Sequence, residues 1–121
     1  MIFHLVAFKL NSSLQWCDKE VIEAEAATRE HPKHISEIRG WLCARNISPR
    51  EQAMDFVVMG LFENQEDLSA YLIHPNHQQG VQKWKKIANW KVVDIELGSD
   101  TTRFFGLLNA LVGVSGKLVQ S

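Results

Sequence analysis

Residues 56–62 read Phe-Val-Val-Met-Gly-Leu-Phe, an uninterrupted apolar run that follows a polar loop over 46–55. The length of the run and its β-branched and aromatic content are typical of a strand. Successive side chains of a strand point to opposite faces, so a run that is apolar throughout predicts that both faces are covered. We therefore expect a strand that is central in a sheet or covered on both sides.

The strand predicted over residues 2–10 has the same two-sided character. Two further strands are predicted over 38–45 and 90–97. In the N-terminal strand, one face carries Ile2, His4, Val6 and Phe8, and the other carries Phe3, Leu5 and Ala7.

Three helices are predicted between these strands. Apolar residues at helical spacing predict the first over 14–30, and His31-Pro32 should end it because proline disfavours helical geometry in the residue before it. Asn64 is placed to cap the second helix, which should end at His74-Pro75. Asn76 can cap the third, whose inner stripe comprises His77, Val81, Trp84 and Ala88.

The order of these elements predicts an α+β, ferredoxin-like β-α-β-β-α-β fold, with helices on one face of a four-stranded antiparallel sheet. A single domain of this kind leaves the second sheet face open, and here that face is apolar in most strands. A second copy of the same sheet would cover it. The sequence thus predicts a homodimer whose two sheets pack as a dimeric α/β barrel.

We expect this domain to occupy residues 1–98 and to be followed by an appended amphipathic segment over 99–121. A helix is predicted over 101–112, docked on its own subunit or on the partner, with loose membrane association as the alternative. The apolar residues at helical spacing are Phe104, Leu107, Leu108, Leu111 and Val112.

Composition argues against several kinds of partner. The 121 residues include 13 basic and 14 acidic ones, so no basic surplus directs the chain to nucleic acid. The N-terminus lacks the features of a signal peptide, and no apolar run reaches the roughly 18–20 residues that cross a bilayer. We expect a cytoplasmic protein with Cys17 and Cys43 as free thiols. No cofactor motif is present, and none is predicted.

Three motifs resemble those of a known family. The first is Ile-x-His-x-Val-x-Phe-Lys, which begins at Ile2. The second, Phe-x-x-x-x-Asp-Leu-x-x-Tyr-x-x-His-Pro-x-His, runs from Phe62 to His77, and the third is a Val-x-Asp that ends at Asp94. Together they are similar to the stress-responsive A/B barrel (Dabb) family, and the resemblance spans residues 2–97.

The resemblance implies a dimeric α+β barrel but no single function. Some plant members of that family are stress-induced stable oligomers, a few members catalyse polyketide cyclisation, and most bacterial members have no assigned activity. Two hypotheses follow. The chain is either a small cyclase or isomerase that acts on an enolisable carbonyl compound, or a non-catalytic assembly that binds a small apolar ligand or confers stress tolerance.

The resemblance also implies site residues. In the cyclase members a matching tyrosine and a matching second histidine act together on the substrate. Carried over to this chain, His77 would be the general base and Tyr71 the hydrogen-bond donor to the enolate oxygen. If the pKa of His77 were unperturbed, activity would rise with pH near about 6.5.

Structural roles for the same residues remain open at this stage. His77 shares a stripe with apolar residues and can instead be a buried histidine bonded to a backbone carbonyl, Tyr71 can simply pack, and His74 can cap the preceding helix. We also expect His4, His74 and Trp84 to contact a ligand. A zinc site needs three or four ligands, and the pairs His31/His34 and His74/His77 have no cysteine or carboxylate pair beside them in sequence, so no metal is predicted.

Overall fold

One four-stranded antiparallel sheet forms the frame of the protein in this computed structural model, which describes residues 1–98. The predicted ferredoxin-like class is confirmed. Within the described part no helix has the length and apolar character needed to cross a membrane. The segment over 99–121, including the predicted helix over 101–112, lies outside the described residues. The elements are β1 (Ile2–Leu10), α1 (Lys19–His34), β2 (Gly40–Arg45), β3 (Phe56–Phe62), α2 (Gln65–Ile73), α3 (Pro75–Lys85) and β4 (Ala88–Glu96). The strand order in the sheet is β2-β3-β1-β4.

The sheet face that carries the even-numbered residues of β1 packs against the helices. Antiparallel pairing sets Val6 opposite Val58 of β3 and Val92 of β4, so these side chains share that face. Val58 is 2 % exposed and belongs to the main core cluster. Ala88 also lies in this core, but it begins β4 and does not continue the stripe of α3 as the sequence predicted.

The first helix begins at Lys19, later than the apolar spacing from Leu14 predicted. Asp18 precedes it in an extended conformation, and its carboxylate accepts a hydrogen bond from the backbone N–H of Gln15 at 2.8 Å. Leu14 and Trp16 lie in the preceding turns and still pack against the core. Leu14, the first residue of the predicted stripe, therefore packs on the core without being helical, whereas Cys17, the next residue of that stripe, is exposed.

The end of α1 is also later than predicted, because the helix continues through Pro32 to His34. Proline has no N–H to donate to the carbonyl of Thr28 one turn earlier. The indole N–H of Trp41 donates to that carbonyl instead, at 3.2 Å. Since a side chain of β2 satisfies the carbonyl, Pro32 is accommodated and His31 lies inside the helix.

The junction of α2 and α3 agrees with the prediction at one cap and differs at the other. Asn64 caps α2, its side-chain oxygen accepting from the N–H of Asp67 at 2.8 Å. Helix α3 begins at Pro75 and is capped by His74, whose Nδ1 accepts from the N–H of Asn76 at 3.1 Å. The side chain of Asn76 is therefore available to another partner.

The opposite face of the sheet presents an apolar surface. Leu42 of β2 and Val93 and Ile95 of β4 are 52 %, 52 % and 45 % exposed. Met59 joins them on this face, paired with Leu42 on one side and with Leu5 on the other. Contiguous exposed apolar surface is typical of a protein–protein interface.

Candidate functional site

A cavity of about 100 Å³ lies between the helix-covered face of the sheet and the three helices. Most of its lining is aliphatic or aromatic. A few convergent polar groups in an otherwise apolar cavity are the usual pattern of a binding or active site. Among the sequence-predicted site residues, only His74 is not part of the lining. The polar lining residues are His4, Thr28, His31, Tyr71 and His77.

The imidazole of His77 is held in one tautomer. Its Nδ1 lies 3.0 Å from the carbonyl oxygen of Leu72, and because a carbonyl only accepts, Nδ1 carries the hydrogen. The other nitrogen, Nε2, therefore bears a lone pair. Burial lowers the pKa of His77 to about 4; the hydrogen bond to Leu72 opposes this shift, and three neighbouring imidazoles add to it, those of His31, His4 and His74. His77 is thus a neutral base at physiological pH.

Tyr71 lies against His77, with 4.2 Å between the ring centroids, and is 3 % exposed. Within residues 1–98 the hydroxyl of Tyr71 makes no hydrogen bond. Every buried side-chain nitrogen or oxygen in that range that is sealed from solvent does make one. The hydroxyl is therefore open to the cavity that the ring lines. Burial, and to a lesser degree Cys43, raises the pKa of Tyr71 above its ordinary value. The phenol stays protonated and can donate.

His4 enters the cavity from the sheet. The register of β1 and β4 sets it opposite Asp94, and its Nδ1 lies 2.5 Å from a carboxylate oxygen of that residue. An ionised carboxylate only accepts, so Nδ1 carries the hydrogen and Nε2 is left for the cavity. The ring of His4 is 5.7 Å from that of Tyr71 and 3 % exposed.

His31 is a site residue that the sequence did not predict. Its Nδ1 lies 2.6 Å from the side-chain oxygen of Asn76, and the residue is 3 % exposed. Its ring centroid is 5.7 Å from that of His77 and 6.4 Å from that of Tyr71. Burial lowers the pKa of His31, and the hydrogen bond to Asn76 only partly opposes this. The imidazole is accordingly neutral.

A sequence signal for His31 existed but was interrupted. The stripe of α1 continues in steps of three and four from Ala24 through Thr28 to His31, all of them buried. Because Pro32 predicted a helix end at that point, the predicted helix stopped at residue 30 and left out His31.

Trp84 and Thr28 form a wall of the cavity. The indole N–H of Trp84 donates to the hydroxyl of Thr28 at 2.7 Å, and that hydroxyl donates to the carbonyl of Ala24 at 2.8 Å. The Trp84 ring stacks on Phe8 with centroids 4.2 Å apart. Because these polar atoms already have partners, Trp84 offers a ligand its ring surface and no free donor.

Gly80 of α3 leaves room for His31, and we expect Gly80→Ala to destabilise the protein. Alanine inside a helix is ordinarily better than glycine by about 1 kcal/mol. Here a Cβ would lie 2.9 Å from both Cε1 and Nε2 of His31, which Asn76 holds in place. The free energy of unfolding, measured by urea denaturation, should fall by about 1–3 kcal/mol. The control is Gln79→Ala, at an exposed position of the same helix; it should be neutral, and equal stability of the two variants would contradict the expectation.

Metal ligands are not grouped in the described part of the chain. Within residues 1–98 no three His, Cys, Asp or Glu side chains are placed to hold a metal ion. Cys17 is exposed and Cys43 is buried, and burial raises the pKa of Cys43 to about 11. The chemical groups that the cavity presents are imidazoles and one phenol.

The fold and the site define a class: a ferredoxin-like α+β protein with a small histidine-lined cavity beneath its helices. The family model for the stress responsive A/B barrel domain matches residues 2–97, and the chain belongs to this family. It is 40 % identical over 96 residues to an uncharacterised protein of Streptomyces coelicolor, an alignment that covers 79 % of this chain and 99 % of that protein. The family predicted from the three motifs is confirmed.

Solved structures with the same fold differ in what is known of them. A dimeric, ferredoxin-like protein of unknown function from Bacteroides fragilis superposes with a TM-score of 0.69 at 23 % identity, covering 79 % of this chain and 95 % of that one. Hydroxynitrile lyase from Passiflora edulis superposes with a TM-score of 0.70 at 14 % identity, covering 81 % and 94 %. At such identities the likeness shows the fold alone.

Proposed function

We propose that the protein is an enzyme that catalyses proton transfer at the carbon next to the carbonyl group of a small enolisable compound. His77 is the general base, and Tyr71 is the hydrogen-bond donor to the carbonyl oxygen. One observation carries the proposal. The bare Nε2 of His77 and the unbonded hydroxyl of Tyr71 line one cavity, with their rings 4.2 Å apart. A base and a donor side by side are what enolisation requires.

The proposed step is an enolisation. Nε2 of His77 takes a proton from the carbon next to the carbonyl, and the C–H electron pair forms a carbon–carbon double bond. The carbonyl π pair moves onto its oxygen, where the O–H of Tyr71 stabilises the developing charge. Return of the proton from the imidazolium to carbon, or to another atom of the same molecule, restores neutral His77.

The protonation states support this assignment. The pKa of His77 is lowered chiefly by burial, and the pKa of Tyr71 is raised by burial, so the first group is unprotonated and the second protonated near neutrality. Apolar walls add to the effect, since electrostatic interactions are stronger where water is excluded. That a hydroxynitrile lyase has this fold supports only the point that the fold can carry an enzyme.

We further propose that the working form is a homodimer, joined through the apolar sheet face, and that it resides in the cytoplasm. The dimer is supported by the exposed apolar residues of β2 and β4 and by the dimeric state of similar proteins.

A second candidate function is non-catalytic binding of a small apolar or carbonyl ligand. The mostly apolar lining of the cavity favours it.

Hydrogen–deuterium exchange separates the two candidates. The full-length protein is incubated in D₂O with butan-2-one or hydroxyacetone, and loss of the α-proton signals is followed by ¹H NMR. An enzyme of the proposed kind exchanges at least one of these ketones faster than free imidazole at the same concentration. If neither ketone exchanges faster, the proposed function is wrong and binding alone remains.

A further inference from the structure

Each histidine that lines the cavity has the same nitrogen engaged by the protein. Nδ1 of His4 faces the carboxylate of Asp94, Nδ1 of His31 faces the side-chain oxygen of Asn76, and Nδ1 of His77 faces a backbone carbonyl. All three partners are hydrogen-bond acceptors, so each Nδ1 is a donor. In a neutral imidazole the other nitrogen is then an acceptor.

His31 has no part in the proposed enolisation, yet its Nε2 is open to the cavity. Within residues 1–98 this nitrogen makes no hydrogen bond. Every buried polar side-chain atom in that range that is sealed from solvent does make one, so Nε2 of His31 is not sealed. The Nε2 edge of the ring lies beside Gly80, where even a Cβ would be 2.9 Å from Nε2, and both residues line the cavity. A buried acceptor placed in this way selects for a ligand that brings a donor, because an unpaired polar group is costly.

Tyr71, His77 and His31 form a triangle around the cavity. Ring centroids are 4.2 Å apart for Tyr71 and His77, 5.7 Å for His77 and His31, and 6.4 Å for Tyr71 and His31. The triangle therefore offers one donor for a carbonyl oxygen, one base for a C–H proton and one acceptor for an O–H group. Adjacent atoms of a hydroxy carbonyl compound present these three groups.

The volume of the cavity limits the size of such a ligand. A cavity of about 150 Å³ can hold benzene, and the cavity here is about 100 Å³ and partly open to solvent. An acyclic compound of roughly four to six non-hydrogen atoms would fit.

We propose that the substrate is a small acyclic hydroxy ketone or hydroxy aldehyde, and that His31 is the residue that binds its hydroxyl group. This inference rests on the proposed function, since it assigns the carbonyl to Tyr71 and the acidic C–H to His77. His31 acts as a specificity residue and takes no proton.

Hydroxyacetone and butan-2-one provide a matched test, because they differ only by a hydroxyl in place of a methyl group. Exchange rates in D₂O are measured for each ketone and divided by the rate in free imidazole, since the hydroxyl alters the intrinsic acidity of the C–H groups. The full-length protein should prefer hydroxyacetone by about tenfold or more in this normalised kcat/KM, as expected for one buried hydrogen bond. Equal normalised rates for the two ketones would overturn the inference and leave the proposed function standing.

Variants at His31 test the assignment. His31→Phe should remove the preference, mainly by raising KM for hydroxyacetone relative to KM for butan-2-one. His31→Gln keeps a side-chain acceptor and should retain part of the preference, which also covers the case in which the phenylalanine variant does not fold. A preference that survives in His31→Phe, or one that is undiminished in His31→Gln, would show that another group binds the hydroxyl.

The inference can also be tested separately from catalysis. If neither ketone exchanges, the proposed function fails, and the remaining question is whether the cavity recognises a hydroxyl group. Titration with hydroxyacetone should then shift the His31 ring resonances saturably, whereas butan-2-one should not. Absence of a saturable shift with hydroxyacetone, or the same shift with both compounds, overturns the inference in that case.

Discussion

Val58→Asp is expected to unfold the protein, whereas Met59→Asp is expected to separate the dimer and leave each subunit folded. The two residues are neighbours in β3 and point to opposite faces of the sheet. Val58 is 2 % exposed beneath the helices, where an unpaired carboxylate costs several kcal/mol. A cost of this size is comparable to the whole stability of a small domain, about 5–15 kcal/mol.

At position 59 the carboxylate faces the open side of the sheet and stays hydrated in a single subunit. Only association would bury it, so the dissociation constant should rise by about a thousandfold, equivalent to about 4 kcal/mol. Light scattering measures the mass and circular dichroism the fold. Leu42→Asp, at a more exposed position of the same face, should act in the same direction with a lower risk to folding.

A run that is apolar on both faces does not by itself distinguish the two positions, whereas the structure places Val58 beneath the helices and Met59 on the opposite face. A folded dimer of Met59→Asp together with a folded dimer of Leu42→Asp would contradict the proposed interface. A folded Val58→Asp protein would contradict the packing of the helix-covered face.

His77→Gln is expected to reduce kcat/KM for the exchanged ketone by about 10²–10⁴-fold, the usual contribution of a general base. The amide of glutamine can still bond to the carbonyl of Leu72, so the fold should persist. Tyr71→Phe should cost about 10²–10³-fold, as loss of one donor to a developing oxyanion does. His34→Gln is the matched control, because His34 is exposed at the end of α1; an equal effect there would show that neither loss is specific.

The pH dependence of the activity follows from the environment of His77. The neutral imidazole is the active form, and burial lowers its pKa to about 4. Activity should therefore be level from about pH 8 to about pH 5 and fall as pH drops through the pKa. This replaces the rise near about 6.5 expected for an unperturbed histidine. A midpoint near that value would show that His77 is hydrated in the working protein.

The sequence predicted most of the fold because the fold depends on local patterns. The two-sided apolar runs at 2–10 and 56–62 marked the strands nearest the sheet centre, and β1 and β3 do pair there. Helix ends were less predictable, since they depend on partners distant in sequence. Pro32 did not end α1 because Trp41, from another element, donates to the carbonyl that the proline leaves unpaired.

The candidate site was only partly visible for the same reason. Tyr71 and His77 are six positions apart, and both the His-Pro turn between them and the family motif predicted that they act together. No turn or motif of this kind pointed to His31. Its role depends on Asn76, which the sequence assigned to a helix cap and which the structure places 2.6 Å from the imidazole.

By itself, then, the sequence determined the order of the elements, the apolar character of both sheet faces, and the residue types available for proton transfer. These follow from periodicity and side-chain chemistry, which are local properties. Tertiary structure alone decided the size of the cavity, the acceptor that each cavity histidine faces and the pKa of His77, because each depends on atoms that separate elements bring together. The carbonyl of Leu72, the carboxylate of Asp94 and the amide of Asn76 fix the three Nδ1 atoms. No spacing along the chain reveals those contacts.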